Sequence, residues 1–200
     1  MSVAAIILAA GRSTRFAPHA NQSTKLVSLW RGAPLVRHVA ETARVAGVSP
    51  IVAVTGHARE SVEAALDGLD LRFVHNCDYA SGLSASLRVG LEALSGAASG
   101  VLVLLGDMPK VKASTLRRLD AAHQMAARDA MALVPTFAGR RGNPVLLGPN
   151  GIARARVLHG DEGARSLLRD FRERVIEVPV DDEGVLVDVD QRQDLATLGA

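Results

Sequence analysis

Apolar positions along the chain keep two alternating rhythms. Residues 3–8 are uninterruptedly apolar and read as a buried strand that ends at Gly11. Residues 34–46 then place Val36, Val39, Ala40 and Ala43 at helical spacing, with Gly47 where a helix C-terminus expects glycine. Strands are expected at 51–55 and 71–75, with a helix at 59–66 between them. A helix at 84–95 carries Leu87, Leu91 and Leu94 on one face. Residues 101–105 are apolar without alternation, the pattern of a strand buried on both faces, and they run into Gly106 and Asp107. A helix at 112–128 and a strand at 131–137 follow. Strands and helices taking turns predict an α/β fold with a doubly wound, mostly parallel sheet.

Beyond Gly139 the rhythm changes. Residues 140–144 read as a turn and 145–147 as a short strand, while 152–159 and 162–171 read as helices parted by Gly160 and Asp161. A strand is expected at 175–180. A hairpin-like turn at 182–184 should lead into a second strand at 185–190, and 192–198 should close the chain as a helix. No internal repeat or linker interrupts the pattern. The expected organisation is a single domain over 1–200, with a core at 1–137, a small C-terminal embellishment at 138–187, and a strand end and closing helix at 188–200.

Composition narrows the function classes. With 200 residues, 48% of them hydrophobic, the chain can bury an ordinary core. A net charge of +2 and 3% aromatic residues supply neither the basic field nor the stacking platforms of a nucleic-acid binder. Cys77 is the only cysteine, which excludes an intrachain disulfide and a thiolate zinc cluster and points to a reduced, cytoplasmic setting. No apolar run approaches the ~18 residues of a membrane helix, and the N-terminus lacks the charged start of a secretion signal.

Ligands of open α/β sheets bind beyond the carboxyl ends of the strands, and two such ends carry chemistry here. After the first strand come Ala10, Gly11, Arg12, Ser13, Thr14 and Arg15, with Lys25 further on. Small residues let backbone N–H groups face an anion, the hydroxyls add donors, and the basic side chains suit phosphate oxygens. An ordinary turn with solvated basic residues would read the same. The P-loop string and the G-x-G-x-x-G fingerprint are both absent, and the second strand ends in Thr55-Gly56-His57 rather than in a ribose-holding acid. At the second strand end, Asp107 is placed to hold Mg²⁺ beside a phosphate or merely to cap a turn. Asp190 is a plausible second ligand; Asp188 shares its face in an extended chain, so parity does not separate them. Residues 81–86 bring hydroxyls to a helix start and could seat a nucleobase edge, unless Ser84 serves only as a helix cap. The six histidines have no metal-ligand spacing, and no G-x-S-x-G elbow occurs.

Leu8-Ala9-Ala10-Gly11-x-Ser13-x-Arg15 with a following lysine resembles the signature loop of MobA-like nucleotidyltransferases. Leu104-Leu105-Gly106-Asp107-Met108-Pro109 is similar to their L-G-D-Q-P metal-binding string. Gly139-Arg140-Arg141-Gly142-Asn143-Pro144-Val145, His159-Gly160-Asp161-Glu162-Gly163-Ala164-Arg165, and Asp188-Val189-Asp190 with Asp194-Leu195 resemble the molybdenum cofactor cytidylyltransferase (MocA-like) branch. The chain departs from the pattern in the longer spacing between Arg15 and Lys25 and in Met108, where glutamine is usual.

The resemblance implies a Rossmann-like nucleotidyltransferase fold. It also implies an Mg²⁺-dependent enzyme that moves CMP from CTP to the terminal phosphate of molybdopterin and releases pyrophosphate. Residues 1–137 would then be the nucleotide-binding core and 138–187 an acceptor-side lobe. Nucleotide contacts are expected from Leu8, Ala9, Ala10, Gly11, Arg12, Ser13, Thr14, Arg15, Lys25, Thr55, Gly82, Ser84, Ser86 and Asp107. Arg15, Lys25 and Asp107 would act in catalysis, and Asp107 and Asp190 would hold the metal. Asn143, Asp161 and Arg165 would meet the acceptor. Alanine at position 10 fits the cytidylyl branch and favours CTP over GTP. A molybdoenzyme or its chaperone would be a partner, with no nucleic acid and no membrane involved. Transfer to a sugar phosphate or another phosphorylated metabolite is the alternative, as is a non-catalytic nucleotide-binding or cofactor-delivery protein.

Overall fold

The computed structural model describes residues 3–13, 16, 24–94, 98–127, 129–160 and 163–199. The strands are β1 (Ala4–Ala9), β2 (Leu29–Trp30), β3 (Ala33–Pro34), β4 (Ile51–Thr55), β5 (Arg72–His75), β6 (Val101–Leu105), β7 (Ala132–Phe137), β8 (Arg140–Arg141), β9 (Val145–Leu147) and β10 (Val175–Pro179). The helices are α1 (Leu35–Val45), α2 (Arg59–Ala65), α3 (Leu83–Ala93), α4 (Ala113–Met125), α5 (Pro149–Ala155), α6 (Ala164–Asp170) and α7 (Arg192–Thr197).

One sheet runs in the order β10-β7-β9-β6-β1-β4-β5, with β8 on the β7 hairpin. β1 lies between β4 and β6 and is parallel to both. The chain first winds outward through β4 to β5, then crosses back to place β6 on the other side of β1. This reversal opens a crevice beyond the carboxyl ends of β1 and β6, the position where doubly wound sheets bind ligands.

The apolar run of β1 is used on both faces. Ala5, Ile7 and Ala9 pack with Val36, Val39, Ala40 and Ala43 of α1 and Leu116 and Leu119 of α4. Ala4, Ile6 and Leu8 pack on the other side with Leu87 and Leu91 of α3. Ile6 and Ile7 are fully buried, a burial worth roughly 1.5–3 kcal/mol for each such side chain. Gly90 of α3 crosses β1 so closely that a Cβ there would lie 2.7 Å from Ile6. A third cluster joins Phe16, Leu35, Val189 and Leu198, so the C-terminal segment is packed against the start of α1.

Three expectations change in the C-terminal third. Arg140–Arg141 is a strand pairing with Thr136 and Phe137, and the turn lies at Ala138 and Gly139, both with positive φ. The short strand expected at 145–147 is β9, which inserts between β6 and β7, antiparallel to both. The hairpin expected around 182–184 is a 3-10 helix, Glu183–Leu186, and 187–190 are extended without pairing as a strand. The cause is Asp182, which is buried. Its carboxylate accepts from Lys112 N (2.8 Å), Thr115 Oγ1 (2.6 Å) and Gly184 N (3.0 Å), satisfying donors at the start of α4 in place of a local cap.

Candidate active site

A cleft of about 660 Å³ opens at the crevice, within the ~300–1,000 Å³ usual for small-molecule sites. Leu8 and Leu105, at the carboxyl ends of β1 and β6, line it together with Ala10 and Leu26. Gly11, Arg12 and Ser13 stand on one side, and Tyr79, Gly82, Leu83 and Ser86 on the other. Lys25, Asp107, Asp188, Asp190 and Arg165 also line it.

The carboxylates converge for a traceable reason. Asp107 leaves β6 one residue after Gly106, whose N–H donates to Leu8 O at 3.1 Å. The segment 187–190 is held beside it by Val189 N donating to Asp107 O at 3.0 Å. Val187 and Val189 take the inward positions of this extended stretch, so Asp188 and Asp190 both turn to the cleft. Oxygens of Asp107, Asp188 and Asp190 all lie within 4.8 Å of one another. The parity that left Asp188 and Asp190 equivalent in the sequence therefore brings both to the same place. The carboxylate of Asp194 accepts from the backbone of Asp190 (2.8 Å) and Gln191 (2.6 Å), which fixes the end of the segment.

Lys25 reaches into this cluster from a single 3-10 turn, Lys25–Val27. Its Nζ donates to Asp107 Oδ2 at 2.7 Å and to Asp190 Oδ1 at 3.0 Å. The turn is tied to the loop after β1: Ser13 Oγ accepts from Lys25 N at 3.2 Å and shares a 3.0 Å hydrogen bond with Thr24 Oγ1. Burial alone would lower the Lys25 pKa, but the charges and hydrogen bonds of Asp107 and Asp190 outweigh it and raise it above 10.5. Asp188 shifts upward from 3.8, chiefly by desolvation and then by the charges of Asp107 and Asp190.

This donor set fits a divalent cation. Three carboxylates supply hard oxygen ligands, as Mg²⁺ or Mn²⁺ prefers. Asp107 Oδ1 is buried and has no hydrogen-bond partner among the described residues, an orphaned acceptor that a cation would satisfy.

The other expected residues divide. Leu8, Ala10, Gly11, Arg12, Ser13, Lys25, Gly82, Ser86 and Asp107 are brought together in the cleft. Gly82 precedes α3 with φ 106° and ψ 177°, a conformation suited to glycine. Gly11, by contrast, has no positive φ; in that loop Ser13 carries the left-handed turn, at φ 51°. The side chains of Ala9, Thr55 and Ser84 do not line the cleft. Ala9 belongs to the core under α1, Thr55 is wholly buried with its hydroxyl donated to Glu63 (3.2 Å), and Ser84 is buried in the first turn of α3. Gly82, rather than Ser84, is the N-cap of α3. Asn143 and Arg165 line an adjoining groove of about 360 Å³ that shares Leu8, Leu83 and Leu105 with the cleft, large enough for part of a second ligand. Thr14, Arg15 and Asp161 lie outside the described residues. Tyr79 and Leu83 fall in the candidate stretch 76–90 but were not named as contacts; Tyr79 is the only tyrosine in the chain, and its place just before Gly82 was the available signal.

Comparison with known proteins gives the family and the fold. The model of the MobA-like NTP transferase domain matches residues 5–176, and the chain belongs to that family. It is 34% identical over 166 residues to the bifunctional protein GlmU of Clavibacter sepedonicus, covering 82% of this chain and 31% of that protein. The chain thus spans under a third of the length of that curated relative. Among solved structures, Rv0371c of Mycobacterium tuberculosis superposes with TM-score 0.82 at 30% identity, covering 99% of this chain and 98% of the other. A complex of the same protein with manganese gives TM-score 0.77 at 28% identity, covering 99% and 97%. A nucleotidyl transferase of a Methanothermobacter species gives TM-score 0.82 at 25% identity, covering 98% and 95%. The fold is the Rossmann-like α/β fold shared with these structures. No helix among the described residues is long and apolar enough to cross a membrane.

Proposed function

We propose that the chain is a metal-dependent nucleotidyltransferase, and that it transfers CMP from CTP to the terminal phosphate of molybdopterin with release of pyrophosphate. The observation that carries the reaction class is the meeting of Asp107, Asp188, Asp190 and Lys25 at the carboxyl ends of β1 and β6, facing a nucleotide-sized cleft. Asp107 with Asp188 and Asp190 would hold Mg²⁺, which when bound neutralises phosphate charge and orients the triphosphate. The backbone of Gly11, Arg12 and Ser13 binds the phosphates, with Arg12 and Arg15 adding charge. Lys25 stabilises the charge that grows on the phosphates during in-line attack at the α-phosphorus. No side chain needs to act as a general base, since a phosphate monoester is already largely ionised near neutral pH. The chain's work is positioning and electrostatic stabilisation.

The base lies between the loop after β1 and Tyr79, Gly82 and Ser86. Ala10 supports a pyrimidine. It lines the cleft, as does Tyr79, and a methyl there leaves less room for a base than glycine would. Asn143 and Arg165, in the adjoining groove, meet the acceptor together with Asp161. Molybdopterin is supported by the resemblance of the strings at 139–145, 159–165 and 188–195 to the cytidylyltransferase branch. The curated relative is a GlmU, not by name a molybdenum-cofactor enzyme, and this favours a second reading, in which the acceptor is another phosphorylated metabolite, such as a sugar phosphate. Pyrophosphate release tests the proposal, with each acceptor class supplied in turn with CTP and Mg²⁺. Release with molybdopterin alone supports the first reading and release with a sugar phosphate alone the second.

A further inference from the structure

We propose that the groove leads on to a second anion-binding subsite, built by Arg141, Arg165, Arg169 and Arg172, and that the acceptor carries negative charge at the end remote from its attacking phosphate. A concavity of about 480 Å³, ample for an oxyanion, is lined by these four arginines and Leu168. Arg165 lines this basin, the Asn143 groove and the main cleft alike, so the three adjoin at its side chain. The inference rests on the reading of the carboxylate end as the transfer site, which fixes where the attacking phosphate lies.

The basin follows from helical spacing. Residues 165, 168, 169 and 172 stand at i, i+3, i+4 and i+7, so α6 and the 3-10 turn that follows it, Arg172–Arg174, present one stripe, while Ala164 and Leu167 face the core. Arg141 faces the stripe from β8. Arg141 and Arg169 are paired with neighbouring carboxylates. Glu177 accepts from Arg141 Nε at 2.7 Å and Asp170 from Arg169 Nε at 3.0 Å. Neither Arg165 nor Arg172 has an ion-pair partner among the described residues. All four arginines are exposed, so core packing does not account for them. Guanidinium forks converging on one concavity are suited to an oxyanion, phosphate or carboxylate, rather than to a neutral group. The groove between is lined by Leu83, Val145 and Leu168 with Asn143, beside Arg141 and Arg165, which it shares with the basin. An acceptor with an anionic group at each end matches this sequence of surfaces.

The test uses the full chain, with arginine Nε–Hε signals in ¹H–¹⁵N spectra as readout. Inorganic phosphate and, separately, a polyglutamate peptide are titrated in at constant ionic strength. Phosphate should shift the signals of Arg165, Arg169 and Arg172 saturably. Arg169→Gln/Arg172→Gln should weaken that response about tenfold, and Arg172→Gln alone should give an intermediate loss. In both variants the phosphate response of the Gly11 and Lys25 amides should be unchanged. The proposal is overturned if phosphate moves only those amides, or if the double variant binds phosphate at Arg165 as the wild type does. It is also overturned if polyglutamate binds while phosphate gives no saturable shift, which would make the basin a dock for an acidic protein. No nucleotide or turnover enters the titration, so a failure here is distinct from a failure of the CTP assay.

Discussion

Replacing Lys25 by methionine should destabilise the metal-free protein and, at the same time, make it more responsive to a divalent cation. Lys25 occupies the centre of the acidic cluster, 2.7 Å from Asp107 and 3.0 Å from Asp190. Carboxylate oxygens no more than 4.8 Å apart repel by at least about 3.5 kcal/mol at an effective dielectric constant of ~20, and the ammonium offsets this. Removing one partner of a buried pair costs ~3–5 kcal/mol; Asp190 is 42% exposed and its pairing is screened, so about 2 kcal/mol is the appropriate loss. For a chain of this length that lowers Tm by roughly 4–8 °C. A cation entering the wild-type site must displace the ammonium, and in Lys25→Met it does not. If affinity rises tenfold, saturating Mn²⁺ adds about 1.4 kcal/mol of extra stabilisation, or roughly 3–6 °C. The assay is thermal denaturation of both proteins with and without Mn²⁺, beside pyrophosphate release, which the variant should lose. A Mn²⁺-induced shift no larger in Lys25→Met than in wild type would refute the competition between ammonium and metal.

Other consequences follow from the same geometry. The raised pKa of Asp188 means that the folded state holds its proton to higher pH than the unfolded chain does. In the metal-free protein Asp188 therefore contributes stability at low pH that is lost as pH rises through the folded value, whereas metal binding needs the carboxylate and weakens as pH falls. The Mn²⁺-induced rise in Tm should accordingly shrink as pH falls from neutral through the raised titration of Asp188, and Asp188→Asn should flatten that dependence. Lys25, with its pKa raised above 10.5, contributes fully at neutral pH and is lost only as pH climbs through its folded value, so alkaline titration should weaken the metal-free protein more than Lys25→Met. Asp182→Ala should cost about 3 kcal/mol in denaturant unfolding, since three donors lose a buried carboxylate; a loss below 1 kcal/mol would mean that water replaces it. Ala10→Gly should widen the cleft beside the loop after β1 and raise activity with GTP relative to CTP. An unchanged ratio would remove the steric account of base choice.

What could be read from the sequence was set by how local its cause is. β4 and β6 occupy their expected residues, because an apolar run bounded by Pro50 or Gly106 needs no distant partner to be recognised. Asp107 was legible as a residue just past a buried strand. The joint presence of Asp188 and Asp190 followed from extended alternation, although the stretch is not a strand. By contrast, Asp182 looks like a turn residue and instead caps α4, 67 positions away at Thr115. The three-residue β9 gives no sign in its own letters that it enters the sheet between β6 and β7. Thr55 and Ser84 carry hydroxyls at plausible strand and helix ends, yet packing rather than position decides that they do not line the cleft. Lys25 was expected near phosphates, but its pairing with two carboxylates depends on the Ser13–Thr24 contact across the loop. The arginine stripe at 165, 169 and 172 has helical spacing that the sequence displays openly. Its convergence with Arg141 is visible only once β8 is placed.

The most direct test of the account is pyrophosphate release with CTP, GTP, ATP and UTP in turn, each with Mg²⁺ and molybdenum-loaded molybdopterin, in wild type and in Asp107→Ala. The account predicts release with CTP and its loss in Asp107→Ala. Failure of every triphosphate to bind would contradict it.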